Sequence, residues 1–341
     1  MRGDLYDGFL PLAGQFPPSV NSSDDPVSLK IFESPSCYGV DCNVDGYLKT
    51  GSIPSGTTRT TRAYTIDGNV YTYYFNRCWR ASGTTLYFGS PEYTTKYLPQ
   101  GLGRLVADAS IITFMPVLGN DLWVATATGS QVIRNADDSY GRYELQKFKQ
   151  ELFVPAAAQA LVLNDDAVVC NANGVFSWNG QTLKEWTRPV RYSTGNFTNK
   201  NITAHYARGQ IIGASSFVVD TTTGKLFDYG TSGFRFTSRT IANPATYSPL
   251  QVASIRLIYS LTNPGGTVSW QTKFDEDDWH TEEDIEIQYT AGEYTGVTRP
   301  LQGDKTTGQK FQMRLTALDD DIKIREILVL VGRYALGAIA E

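Results

Sequence analysis

The chain has 341 residues, with 30 Lys and Arg against 35 Asp and Glu, a formal net charge of −5 and 2 His. This weak negative charge argues against a surface that follows nucleic-acid phosphates, and two His leave little material for a His triad or a His-based zinc site. With 20 Tyr, 16 Phe and 31 Gly, the composition favours aromatic and β-branched strands joined by tight turns. We therefore expect an all-β protein that binds no cofactor and no nucleic acid.

The N-terminal residues, the apolar runs and the cysteine spacing indicate where the chain is made and the redox state of its thiols. The first residues lack the basic, apolar and small-residue regions of a secretory signal, and no run of 18 apolar residues occurs. The 4 Cys lack Cys-x-x-Cys spacing and are too few for a disulfide framework in a chain of this length. We expect synthesis in a cytosol, reduced thiols and no membrane segment.

Residues 1–35 are rich in Pro, Gly, Ser and Asp and carry no sustained hydrophobic period. Such a composition does not bury enough apolar surface to fold by itself. We predict an extended N-terminal arm over 1–35. The arm either stays disordered or lies on a neighbouring subunit through its few apolar residues.

Residues 36–247 contain an internal repeat. Four segments read as strand, small polar turn and strand, and their turn residues Gly83, Gly129, Gly174 and Ser216 lie 46, 45 and 42 residues apart (129−83, 174−129, 216−174). This is the length of a four-stranded propeller blade, and the glycines after Ala-Thr and Ala-Asn are expected to take the positive φ of a tight hairpin. We predict β-propeller-like blades, with a large sandwich or barrel as the alternative.

Residues 248–341 have longer alternating strands. Phe311, Met313 and Leu315 are expected to face a core, while the polar residues between them face solvent. This alternation is typical of a sheet that is wet on one side. We predict a C-terminal β-sandwich domain over 248–341.

A possible metal loop lies near the N-terminus. Asp41, Asn43 and Asp45, followed by Gly, match the opening of a calcium loop, in which alternating oxygen ligands surround a sharp turn. The ninth and twelfth positions of that loop would be Lys49 and Ser52, so the bidentate carboxylate is missing. Asp41, Asn43 and Asp45 are therefore our candidate metal ligands, and an Asp-Gly hairpin turn is the alternative.

Catalytic signals are weak. The run 275–284 has seven carboxylates around one Trp and one His, which could hold a cation or pair an acid with a base, or could form a solvated loop. Sialidase-type Ser-x-Asp-x-Gly-x-x-Trp turns, nucleophile elbows, phosphate loops and His-Glu-x-x-His motifs are missing from the sequence. We name no catalytic residue and expect the chain not to be an enzyme.

One strand carries aromatic rings on both faces. In Tyr-Thr-Tyr-Tyr-Phe at 71–75, alternate side chains of a strand would point to opposite sides of a sheet. One of these faces has to pack against something other than water. We expect an adjacent blade, a sugar or a partner chain there, because aromatic rings dominate packing and interface contacts.

Several segments resemble a known family. The stretch 70–98, which contains Leu-Tyr-Phe-Gly-Ser-Pro-Glu-Tyr at 86–93, is similar to propeller segments of bacteriophage tail nozzle and related virion proteins. The segment 120–132, with Leu-Trp-Val-Ala-Thr-Ala-Thr-Gly, resembles their recurring blade, and 42–46 resembles an Asn-Val-Asp segment that precedes it. The resemblance covers about two thirds of the chain by motifs that are degenerate.

The resemblance implies a non-enzymatic structural protein of the virion, made in the host cytoplasm. It would be a nozzle, adaptor, hub or baseplate component that assembles as a homo-oligomeric ring, a hexamer being expected, with other tail proteins. A head-to-tail contact between copies closes such a ring. The alternatives are a receptor- or carbohydrate-binding protein and a glycan hydrolase on a propeller.

Overall fold

A computed structural model of the chain describes residues 8–11, 18–23, 28–29, 33–43, 48–49, 51, 53–56, 63–66, 69–74, 77–88, 103–107, 110–134, 143–190, 196–229, 234–242, 249–261, 267–280, 283–286, 295–300, 307–317 and 322–333. They form strands joined by turns, with helical structure confined to short 3₁₀ segments. The prediction of an all-β fold is confirmed.

The strands follow one another along the whole chain. The first ten are β1 (Gly8–Pro11), β2 (Ser19–Val20), β3 (Glu33–Ser34), β4 (Cys37–Tyr38), β5 (Leu48–Lys49), β6 (Ala63–Ile66), β7 (Asn69–Tyr74), β8 (Arg77–Ser82), β9 (Thr85–Phe88) and β10 (Gly103–Val106). The next twelve are β11 (Ile112–Phe114), β12 (Val117–Leu118), β13 (Asp121–Thr126), β14 (Ser130–Ile133), β15 (Gln146–Lys147), β16 (Ala160–Leu163), β17 (Asp166–Asn171), β18 (Gly174–Trp178), β19 (Leu183–Glu185), β20 (Ile202–His205), β21 (Gln210–Gly213) and β22 (Phe217–Asp220). The last ten are β23 (Leu226–Asp228), β24 (Phe234–Thr237), β25 (Ile241–Ala242), β26 (Leu250–Leu261), β27 (Thr267–Phe274), β28 (Glu283–Glu286), β29 (Thr295–Pro300), β30 (Thr307–Gly308), β31 (Lys310–Ala317) and β32 (Ile322–Arg333).

Among the described residues, helical structure consists of single turns. These 3₁₀ turns include Gln150–Leu152, Ala157–Gln159, Arg188–Val190 and Tyr206–Arg208. Within the described ranges, none of these helices has the length or the apolar character that crossing a membrane would need.

The chain folds into two compact units. The first comprises Met1–Ile53, Pro189–Ser193 and Lys225–Glu341, and the second comprises Pro54–Arg188 and Thr194–Gly224. These limits differ from the predicted divisions after residues 35 and 247. The difference arises because N-terminal strands pair with C-terminal ones: β1 and β5 pair with β32, and β4 pairs with β24.

The second unit contains four successive groups of antiparallel strands, as the repeat predicts. The groups β6–β10, β11–β15 and β16–β19 are separate sheets, and β20–β22 are three further antiparallel strands. Gly83, Gly129, Gly174 and Ser216 each lie in or beside the hairpin turn of one sheet. Gly83 and Gly174 take positive φ, of +58° and +130°. At Gly129 the positive-φ prediction is wrong, because the Thr126 hydroxyl accepts a 3.0 Å hydrogen bond from the Gly129 N–H and closes that turn without a left-handed residue.

Successive sheets of the second unit share hydrophobic cores. Along β13, Leu122 and Val124 join the core shared with the first sheet, whereas Trp123 and Ala125 join the core shared with the third sheet. All four side chains are at most 1% exposed. A strand buried on both faces needs the near-continuous apolar run found here.

The first unit is a sandwich of two sheets over one core. One sheet contains β1, β32, β26 and β29, and the other contains β23, β4, β24, β31, β27 and β28 in that order. The core includes Phe311, Met313 and Leu315, all fully buried, and alternate residues of β31 are less buried, as predicted. Burying each such side chain stabilises the fold by about 1.5–3 kcal/mol.

Candidate binding face

The first sheet of the second unit carries aromatic residues on both faces. Along β7, Val70, Thr72 and Tyr74 are buried, while Tyr71 is half-buried and Tyr73 is 45% exposed. The Tyr74 hydroxyl donates a hydrogen bond to the Asn120 carbonyl. The strand therefore uses its even-numbered residues for the core and presents its odd-numbered tyrosines on the outside.

Strand register places a second aromatic residue and an arginine beside these tyrosines. Tyr71 lies opposite Arg80, and Arg80 lies opposite Tyr87, so the three residues form a row across β7, β8 and β9. The Arg80 guanidinium lies 4.9 Å from the centre of the Tyr87 ring. A guanidinium over an aromatic face is held there by a cation–π attraction. We call Tyr71, Tyr73, Arg80 and Tyr87 the tyrosine face.

The opposite side of the same sheet is closely packed. The Trp79 ring is fully buried, its centre lies 4.9 Å from that of Tyr143, and its Nε1 donates a 3.1 Å hydrogen bond to the Tyr74 carbonyl. The buried Arg77 guanidinium lies 5.9 Å from the Phe88 ring centre. The tyrosine face is thus the outside of a well-packed sheet.

The tyrosine face is suited to binding. Tyrosine offers a broad apolar ring and a hydroxyl, and Arg offers planar donors, which together can contact the C–H faces and hydroxyl groups of a sugar. None of these four side chains is a carboxylate.

The predicted metal ligands are only partly described. The Asp41 carboxylate accepts a 2.9 Å hydrogen bond from the Asn43 N–H, and the Asp41 N–H donates to the Lys49 carbonyl at 2.8 Å. Asp45 lies outside the described residues. The carboxylate of Asp41 thus supports a turn, and metal binding at these three residues stays a prediction. Within the part of the chain that the structure covers, no group of three or more His, Cys, Asp and Glu is placed to hold a metal ion.

The acidic run has a structural role at its start. The Asp275 carboxylate accepts hydrogen bonds from the N–H groups of Gln309 at 2.7 Å and Lys310 at 2.8 Å. The Lys310 ammonium lies 2.9 Å from the Glu276 carboxylate. These contacts tie the β27–β28 connection to the start of β31, so Asp275 acts as a turn-closing residue. Glu282 falls outside the described ranges.

A charged pair in the third sheet of the second unit has shifted pKa values. Burial, together with the neighbouring Asp165, raises the pKa of the Asp166 carboxyl. Burial lowers the pKa of the Lys184 ammonium, against the opposing effect of Asp166. Lys184 also lies 3.3 Å from the centre of the Trp186 ring. Sequence motifs do not indicate this pair, because only the pairing of β17, β18 and β19 brings the two groups to one sheet.

Among the cysteines whose side chains the structure describes, Cys37, Cys42 and Cys170 are free and buried. Burial raises the pKa of the Cys170 thiol to about 11, and the Sγ donates to the Phe197 carbonyl at 3.7 Å. A raised pKa means that the folded chain holds this proton at a pH where the unfolded chain has lost it. Cys170 is therefore a structural thiol and not an activated nucleophile.

The Cys170 pKa predicts a loss of stability in alkali. The stabilisation is complete below the ordinary pKa of 9.0 and falls as the pH rises toward about 11. We expect Cys170→Ala to flatten the fall in the free energy of unfolding between pH 9 and 11. Urea unfolding of the full chain at several pH values, followed by circular dichroism, measures how the free energy of unfolding depends on pH. Identical slopes for the variant and the natural chain would contradict the assignment.

Comparison with known proteins identifies no family. No protein-family model and no curated protein matches the chain. Solved structures give weak likenesses. An exo-beta-1,3-galactanase from Phanerochaete chrysosporium, solved with galactose, is 10% identical over 83% of this chain and 69% of its own, with a TM-score of 0.21. A glycoside hydrolase is 10% identical over 82% of this chain and 100% of its own, with a TM-score of 0.21.

A Bacillus thuringiensis Cry1Da tryptic core variant is 11% identical over 83% of this chain and 53% of its own, with a TM-score of 0.22. The glycoside hydrolases contradict our expectation that the chain is not an enzyme, and we withdraw it. TM-scores of this size carry no argument for an activity. We therefore assign no catalytic role to any residue, and binding is the chemistry that the described side chains support.

Proposed function

We propose that the chain is a carbohydrate-binding protein and that its tyrosine face holds the glycan. The observation that carries the proposal is Tyr73, which is 45% exposed on the same face of the sheet as the row of Tyr71, Arg80 and Tyr87. Aromatic rings that are grouped at a protein surface are informative because contiguous exposed apolar patches mark interaction sites. Sugars meet such rings with their apolar C–H faces, while the Arg80 donors meet hydroxyl groups.

The geometry favours an oligosaccharide over a single sugar. Tyr71 and Tyr73 are two residues apart on one strand, about 6.6–6.8 Å from Cα to Cα. Tyr71 and Tyr87 lie on either side of β8, so they are separated by about 9.5 Å, twice the spacing of neighbouring strands. A ligand that contacts all three tyrosines must therefore extend over more than one sugar ring.

Substitution of Tyr73 tests this proposal. We expect Tyr73→Ala to weaken binding of a glycan identified on a glycan array by about 1–3 kcal/mol, the usual cost of truncating a central aromatic contact. Ile111→Ala is the matched control, because Ile111 is 60% exposed in the same unit but lies outside the tyrosine face. Isothermal titration calorimetry measures both. Equal affinities of Tyr73→Ala and the natural chain would overturn the proposal.

A structural role in a bacteriophage tail is our second proposal. Its support is the repeat of stiff antiparallel sheets and the tyrosine and arginine content of the tyrosine face, since these residue types are also enriched at the centre of protein interfaces. The two proposals differ in the mass expected from light scattering. A tail component would form a discrete multiple of 37.7 kDa that Tyr73→Ala dissociates, whereas a glycan-binding chain keeps its mass when Tyr73 is changed.

A further inference from the structure

The outward face of the second sheet of the first unit carries two arginines, each of which lies over an aromatic ring. Arg235 on β24 lies opposite Tyr38 on β4 and opposite Thr316 on β31. Arg314 precedes Thr316 by two residues on β31 and therefore lies on the same face, diagonal to Arg235. Gln271 on β27 lies opposite Arg314. We call Tyr38, Arg235, Arg314, Gln271 and Thr316 the arginine face.

Arg235 is a partly buried cation without an acceptor. Its guanidinium lies 5.6 Å from the centre of the Tyr38 ring, and its Nε is buried without a hydrogen-bond partner. No residue that the structure describes forms an ion pair or a hydrogen bond with this guanidinium. Removing a charged group from water without a partner is unfavourable. An oxyanion bound at Arg235 would remove that cost.

Arg314 supplies a second guanidinium in a fixed orientation. It lies 4.0 Å from the centre of the half-buried Trp279 ring, and its Nη1 donates to the Gln271 Oε1 at 3.4 Å. Diagonal neighbours on adjacent strands are about 7–8 Å apart, which is within reach of long side chains. Two planar guanidinium groups can therefore approach one anionic group or two adjacent ones.

We propose that the arginine face binds the carboxylate or sulfate groups of an acidic polysaccharide. Guanidinium groups match the geometry of such oxyanions with paired donors. The amide of Gln271 and the hydroxyl of Thr316 provide partners for the hydroxyl groups of the same ligand. A polyphosphate backbone fits less well, because the chain has a net charge of −5. This site lies in the first unit and does not depend on the tyrosine face.

Binding of the full-length chain to immobilised polymers tests the site. The probes are polygalacturonate, which carries carboxylates, dextran sulfate, which carries sulfates, and neutral dextran. We expect Arg235→Gln to reduce binding to the preferred charged polymer about tenfold or more at low ionic strength. Arg235→Lys keeps the charge but loses the paired donors. Its affinity for the charged polymer should lie between those of the natural chain and Arg235→Gln. Preference for polygalacturonate assigns the carboxylate, and preference for dextran sulfate assigns the sulfate.

The matched control is Arg208→Gln, which removes the same charge from an exposed position in the second unit. If both Arg→Gln variants lost the same amount of binding to the charged polymer, net charge alone would explain the effect, and the proposal would be overturned. Binding to neither charged polymer, or equally tight binding to duplex DNA, would overturn it as well. Unchanged urea midpoints confirm that the variants are folded. Tyr73→Ala should leave binding to the charged polymer unaltered, so failure of the tyrosine face and failure of this site give different results.

Discussion

Replacing Trp79 with Ala is expected to lower the free energy of unfolding of the second unit by about 3–5 kcal/mol. The Trp79 side chain is fully buried, and its ring centre lies 5.2 Å from that of Phe88 and 4.9 Å from that of Tyr143. The indole Nε1 also donates to the Tyr74 carbonyl at 3.1 Å. The substitution therefore removes a large apolar volume, three ring contacts that include Tyr74, and one buried hydrogen bond.

Trp79→Phe separates these contributions. Phe keeps an aromatic ring in the core but leaves the Tyr74 carbonyl without the indole donor, so we expect a loss of about 1–3 kcal/mol. Urea unfolding followed by far-ultraviolet circular dichroism measures both variants, since the tryptophan fluorescence itself changes. If Trp79→Ala destabilised no more than Trp79→Phe, the packing argument would be wrong.

Trp79 also connects stability to the proposed binding function. It lies on β8 between Cys78 and Arg80, and alternate residues of a strand face opposite sides of the sheet. Loss of Trp79 packing would therefore loosen the strand that positions the Arg80 guanidinium over Tyr87. Glycan binding by Trp79→Phe should be closer to that of the natural chain than binding by Trp79→Ala.

Local patterns predicted the second unit well. The spacing of Gly83, Gly129, Gly174 and Ser216 located four hairpins, because each hairpin is set by residues close together in sequence. The alternation in 71–75 likewise predicted aromatic rings on both faces of one strand, but it did not show which face is buried. The stack of Arg80 on Tyr87 did not follow from either pattern, since it depends on the register of β8 against β9.

Pairing between strands that are distant in sequence could not be predicted from the sequence patterns. Residues 1–35 have the composition of an arm, yet Gly8 lies opposite Val331 in an antiparallel pair of β1 and β32. No local propensity encodes a partner so distant along the chain, because that pairing is decided by the tertiary fold. The arginine face was missed for the same reason. Alternation placed Arg314 on the polar side of β31, but only the pairing of β24 with β31 brings Arg235 beside it.

The repeated glycines should respond very differently to one substitution, and the largest effect is expected at Gly174. There φ is +130°, and a Cβ atom would lie 2.0 Å from the Thr187 Oγ1. That hydroxyl accepts a 3.0 Å hydrogen bond from the Val175 N–H, so it cannot move without breaking a buried contact. Backbone strain and overpacking each cost about 1–3 kcal/mol, and we expect Gly174→Ala to lower the free energy of unfolding by about 3 kcal/mol or more.

The corresponding glycines of the other hairpins are the controls. Gly83 has a φ of +58°, and a Cβ added there would have no atom within 4 Å, so Gly83→Ala meets only the left-handed penalty of about 1–2 kcal/mol. At Gly129 the φ is not positive and the nearest atom to an added Cβ is 3.9 Å away, so Gly129→Ala should be neutral or stabilise the chain by up to about 1 kcal/mol. Urea unfolding of the three variants gives the order directly. Equal losses in the free energy of unfolding at all three positions would mean that the repeat fixes one backbone conformation. The graded order would mean that each hairpin is closed by its own contacts.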